Sequence, residues 1–252
     1  LPKISANAYG ALSISLDTPQ PNIPRYGASA AETSEGIVLI GGYDGEGQYV
    51  AQIEKYDETT NKWLNPFPIT SLARAFQGSV SVAGRAYLMG GYGNNGISKE
   101  VYSFNGSSYK YEGQMPAGAY AMGAASDDAD IYTIGGVNND GYLSDFRRYN
   151  VKTKVWQTLP DLPVKCGYSK AACWNGFVYV FGGANESGCL SDVYRFNIAE
   201  NQWETCASMN IARSHMEIYQ ANDKLYLLGG QVNYTEDGKD GIINQLNGWT
   251  AL

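Results

Sequence analysis

Five times along this 252-residue chain a glycine pair closes a short apolar run, at nearly constant spacing. The runs are IVLIGG ending in Gly41 and Gly42, AYLMGG in Gly90 and Gly91, IYTIGG in Gly135 and Gly136, VYVFGG in Gly182 and Gly183, and LYLLGG in Gly229 and Gly230. Successive second glycines stand 49, 45, 47 and 47 residues apart. Self-similarity at that period means one structural unit copied along an array. Such an array is a rigid platform carrying variable loops, which bind more often than they catalyse.

Other positions keep step with the glycines. An aromatic follows thirteen or fourteen residues later, as Tyr56, Phe104, Tyr149 and Phe196, and a second lies seven residues beyond, as Trp63, Tyr111, Trp156 and Trp203. Seventeen residues before the second glycine stand Arg25, Arg74 and Arg213, with Ala119 and Cys166 in the third and fourth units. The apolar runs are short, rich in β-branched and aromatic residues, and bounded by Gly, Asn and Asp, so each unit reads as four strands. The first follows the arginine slot, the second ends at the glycines, the third ends near the mid-unit aromatic, and the fourth carries the tryptophan slot. Large rings at fixed positions suit the wedge between neighbouring sheets.

The order of arginine, apolar strand closing in Gly-Gly, tyrosine and then tryptophan resembles the kelch repeat, clearly over about residues 25–230. The resemblance implies an all-β fold, a β-propeller of four-stranded antiparallel blades, in a family whose members mostly act as protein-interaction or ligand-binding domains. It gives one propeller over 1–252, with repeats at about 25–73, 74–118, 119–165, 166–212 and 213–252. The length favours five blades, with six as the alternative. The segment from Ile242 to Trp249 reads as a hairpin with an Asn-Gly turn that puts Trp249 in the tryptophan slot. Residues 8–16 are expected to form a strand closing the ring against the last blade. Pro19, Pro21 and Pro24 mark an extended connector.

Charged residues are only 17% of the chain and the net charge is −7, which argues against nucleic acid as a partner. No apolar stretch approaches the ~20 residues of a membrane-spanning helix. Cys166, Cys173, Cys189 and Cys206 lack zinc-site spacing, so no metal or other cofactor is expected. Free thiols favour a reducing, cytoplasmic compartment; a disulfide among them, and sequons at Asn105, Asn185 and Asn233, keep an extracellular one open.

The single histidine, His215, removes a copper-oxidase chemistry that needs several imidazoles. Ser214 adjoins it, but adjacent strand residues point to opposite faces, so no catalytic residue is assigned. His215 stands two residues after the arginine slot, equivalent to Gly27, Phe76, Ala121 and Tyr168. In kelch propellers this position, and those after the glycines (Tyr43, Tyr92, Val137, Ala184, Gln231), tend to face the channel mouth. The resemblance therefore puts a site at Tyr43, Phe76, Tyr92, Asn94, Tyr168, His215 and Gln231, with turn-forming Asp44, Asn95, Asn138, Asn139, Asp140, Asn185 and Asn233 behind it. Arg25, Arg74 and Arg213 read as structural, each binding backbone carbonyls or an acidic group between blades. The expected function is non-catalytic binding of a protein loop or peptide at the mouth. A sugar-binding or sugar-active propeller, resembling those that act on sialic acid, and a structural ring in a larger assembly are the alternatives.

Overall fold

A strand buried on both faces cannot alternate apolar with polar, and the run before each glycine pair is accordingly apolar except at Thr133. In the computed structural model these runs are the second strands of five successive sheets. The structure describes residues 3–6, 12–15, 19–221, 224–232, 241–242 and 246–249. The first sheet joins β1 (Ser29–Thr33), β2 (Gly36–Ile40), β3 (Gln52–Asp57) and β4 (Lys62–Trp63). The next three repeat that antiparallel order at residues 78–114, 123–159 and 170–205.

Alternate side chains of one second strand serve opposite neighbours. Ala86 and Leu88 pack with Val38, Ile40 and Phe104 toward the first sheet, while Tyr87 and Met89 pack with Ile131 and Tyr149 toward the third. The third and fourth sheets meet through Ile134, Phe146, Val178 and Phe196, and the fourth and fifth through Phe181, Val193, Leu225 and Leu227. The first strands lie side by side in chain order.

The glycine pair is the staple between these sheets. The second glycine donates its N–H to the carbonyl of the next unit's slot residue: Gly42 to Arg74 at 2.9 Å, Gly91 to Ala119 at 2.9 Å, Gly136 to Cys166 at 2.8 Å and Gly183 to Arg213 at 3.0 Å. The bond uses only the slot residue's backbone, so alanine or cysteine serves there as well as arginine.

Two registers differ from the sequence reading. In the second unit Tyr109, and not Tyr111, faces Phe104 across the outer pair, as Trp63 faces Tyr56; Tyr111 faces Tyr102. The turn through Asn105–Ser108 is two residues shorter than its counterparts, which a fixed seven-residue offset misses. In the last unit Trp249 lies opposite Leu225, the place of the mid-unit aromatic, and not in the tryptophan slot. Gly241–Ile242 pairs with Gln231–Val232, and Asn247 and Gly248 sit within the ladder, not in a turn. A longer excursion after Gly230 shifts the aromatic, and the ladder with Lys224–Leu228 outweighs the local Asn-Gly turn preference. Among the described residues this last sheet has three strands.

Near the amino terminus, Leu12–Ser15 pairs with Lys3–Ala6. The other residues of the expected closing strand, 8–11 and 16, lie outside the described residues. Residues 19–25 run as the connector without strand pairing, and the Trp63 indole N–H donates to the Pro19 carbonyl at 2.9 Å.

Candidate functional site

A collar of backbone runs around the mouth. Phe76 N–H donates to Gly27 O (2.8 Å), Ala121 to Phe76 O (2.7 Å), Tyr168 to Ala121 O (2.7 Å) and His215 to Tyr168 O (3.1 Å). All five residues are left-handed, with φ of 63°, 54°, 54°, 56° and 54° from Gly27 to His215. Four of them carry a Cβ, a conformation that persists only where the surroundings over-determine it. The inter-sheet bonds supply that constraint.

The collar aims its side chains into a cavity of about 480 Å³, which Phe76, Tyr168, His215, Gln77, Lys170, Glu217 and Gln231 help to line. His215 stacks on Tyr168 with centroids 4.2 Å apart and planes 24° apart, and Phe76 meets Tyr168 edge-on at 5.7 Å. Lys170 and Glu217, from neighbouring first strands, form an ion pair of 2.8 Å.

Of the residues read from the sequence, Phe76, Tyr168, His215 and Gln231 line this cavity, whereas Tyr43, Tyr92 and Asn94 stand outside it. Each residue after a glycine pair forms a small antiparallel bridge with the residue just before the collar, Tyr43 with Tyr26, Tyr92 with Ala75 and Gln231 with Ser214 for instance, and of these three Gln231 lines the cavity. Asn94 lines a separate cavity beside Arg74. Asp44, Asn138 and Asn185 accept backbone N–H groups two residues on, at 2.9, 2.8 and 2.9 Å, which is turn chemistry. Asn233 lies outside the described residues.

The sequence reading passed over Tyr26, Tyr49 and Tyr120. Ring contacts run from Tyr26 to Tyr43 (5.4 Å), Tyr49 (5.0 Å), Tyr92 (6.3 Å), Tyr120 (5.6 Å), Tyr168 (6.4 Å) and Phe76 (5.7 Å), then back to Tyr26 (6.2 Å). Seven rings close a circuit. Tyr26 and Tyr120 precede collar positions directly, and that adjacency was the available signal.

Ser214 Oγ lies 2.9 Å from His215 Nδ1. The expectation that adjacent side chains diverge fails here, because the left-handed turn at His215 interrupts the strand. Ser214 is buried and also contacts Cys189 Sγ at 3.6 Å. All four cysteines are free thiols, and burial pushes the Cys166 thiol up to about 11. Among the described residues no cluster of three or more His, Cys, Asp or Glu is placed to hold a metal ion.

Arg25 and Arg74 make their side-chain hydrogen bonds and ion pairs within their own blades, not between blades. Arg25 Nη1 donates to Gly41 O at 3.0 Å and Gln52 O at 2.9 Å, and Nη2 pairs with Glu54. Arg213 Nη1 donates to Gly229 O at 3.1 Å. In the third unit the slot is Ala119, and Arg147 instead occupies the place that Glu54 holds in the first, paired with Asp145 at 2.5 Å. The guanidinium has moved from the slot to the third strand.

Burial, followed by Tyr120 and Tyr142, pushes the Tyr168 phenol up to about 12. The unfolded phenol titrates near ~10. Between those values the unfolded chain has lost a proton that the folded chain keeps, so stability falls as pH rises through the window. The urea midpoint is expected to drop from pH ~10 to ~12, with a shallower decline in Tyr168→Phe. An equally steep decline in that variant would remove Tyr168 as the source.

Repeated sheets joined at glycine corners around a collared mouth define a β-propeller. The chain belongs to the kelch-repeat family: the model of the KLHDC2/KLHL20/DRC7 Kelch-repeats domain matches residues 11–161 and 106–230. It is 29% identical over 163 residues to Kelch-like protein terF of Aspergillus terreus, covering 56% of this chain and 35% of that protein. It is 24% identical over 147 residues to a kelch domain-containing protein of Saccharolobus solfataricus, covering 55% of this chain and 19% of the relative. The matched region thus spans about a third or less of these relatives. The solved structure of YjhT superposes with a TM-score of 0.83 at 18% identity, covering 99% of this chain and 88% of that one. No helix among the described residues is long and apolar enough to cross a membrane.

Proposed function

We propose that this propeller is a non-catalytic recognition module that seats a protein loop or peptide on the aromatic mouth. The observation that carries the reading is the closed circuit of seven rings beside a cavity of about 480 Å³. Tyr26 and Tyr92 are 56% and 40% exposed, so part of this ring surface is open to a ligand. Stiff aromatic side chains lose little rotamer entropy on binding, and Gln77, Gln231 and the Lys170–Glu217 pair offer polar points for a peptide backbone.

A sugar-active site needs buried arginines and a carboxylate converging on one ligand. Arg25 and Glu54 are each other's partners, and among the described residues no arginine lines the mouth cavity.

Panning a random peptide library on the immobilised chain tests the reading. Enriched peptides are expected to lose affinity by about tenfold or more on Phe76→Ala or Tyr168→Ala, while the thermal midpoint stays that of a folded protein. Peptides that bind both variants unchanged but respond to outer-face charge reversals would refute it. Glycan-array binding abolished by Tyr92→Ala would transfer the site to sugars.

A further inference from the structure

The arginine slots of the first and second units end in different surroundings. Opposite Leu39 of the first unit stands Glu54, which closes on Arg25; at the matching place opposite Leu88 stands Tyr102. Arg74 therefore lies over a ring, 5.3 Å from the Tyr102 centroid, in place of a carboxylate. Its Nε donates to Gln77 Oε1 at 3.2 Å, and its Nη1 donates to Ser98 Oγ and lies 3.7 Å from Glu100 Oε2. Its Nη2 is buried without a hydrogen-bond partner, on a side chain only 4% exposed.

Arg74 forms part of the wall of a cavity of about 560 Å³, together with Ser71, Asn94, Ser98 and Lys99. Arg74 is absent from the lining of the mouth cavity, so the two are separate. A buried guanidinium left short of an acceptor is costly, and a carboxylate is the acceptor whose planar geometry matches it. Exposed Lys99 adds a second cation on the rim against the single acid Glu100.

We propose that this cavity is a second binding site, which takes a carboxylate onto Arg74 where the first unit uses its own Glu54. The first unit shows the closed arrangement with an internal ligand; in the second Glu100 stands 3.7 Å from Nη1 and Nη2 is left for an external one. Ser71, Ser98 and Asn94 offer hydroxyl and amide groups to the remainder of the ligand.

The test uses the whole chain with succinate as probe, read by calorimetry and by the thermal midpoint. Succinate is expected to bind and raise the midpoint. Tyr102→Glu supplies an internal carboxylate, so it should abolish succinate binding and raise the ligand-free midpoint. Lys99→Glu, on the exposed rim, should weaken binding by about tenfold with the midpoint unchanged. An acetylated, amidated aspartate run in parallel separates a free acid from a polypeptide side chain, and binding of either with these dependences supports the site. Failure of both to bind, or binding that survives Tyr102→Glu, overturns it. If Tyr102→Glu does not fold, binding unaffected by Lys99→Glu overturns it instead.

Discussion

Gly90→Ala is expected to lower the thermal midpoint by about 10 °C or more, a loss of roughly 3–5 kcal/mol in a chain of this size. Gly90 has a φ of +62°, and a Cβ there would overlap the Ala119 carbonyl oxygen and lie 2.7 Å from Met122 Cε. That carbonyl accepts the Gly91 N–H, so relieving the overlap breaks the bond between the second and third sheets. Gly96→Ala separates this clash from backbone strain: φ there is +85°, yet nothing lies within 4 Å of the added carbon. It should cost only about 1–2 kcal/mol. Equal losses at both positions in thermal melts would show that the close approach is not what requires glycine at the corner.

Glu54→Ala should destabilise the fold by about 3–5 kcal/mol, because it leaves the Arg25 guanidinium buried without its anion. Glu54 is 0% and Arg25 1% exposed at the side chain. The same carboxylate accepts N–H groups from Asn22 at 2.5 Å and Ile23 at 3.3 Å, so it also holds the connector entering the first sheet. Arg25→Met combined with Glu54→Leu should cost much less than the sum of the single changes, since an apolar pair removes both desolvated charges. Urea unfolding of the four proteins measures the coupling. Additive losses would mean that the pair acts through the connector and not through its charges.

The propeller was legible because its signals are local and repeated. A glycine pair must lie where the backbone turns left-handed against a neighbouring carbonyl, and five pairs in phase require like corners in like sheets. The candidate site was legible only in part. Phe76, Tyr168 and His215 could be placed by their distance from the arginine slot, but that Gln231 lines the cavity while the equivalent Tyr43 and Tyr92 do not depends on packing that no local pattern announces. Likewise Tyr111 and Trp249 were misplaced by offsets that assume turns of constant length, and Arg147 escaped notice because its role passed to another strand.

By itself the sequence determined the repeat, the all-β character and the corners, since strand alternation and the conformational freedom of glycine act over a few neighbouring residues. Only the tertiary structure decided the left-handed collar, the joining of seven rings and the contrast between Arg25 and Arg74. Each of these arises where one blade's backbone or side chains meet another strand's, and pairing across such distances is set by packing and register.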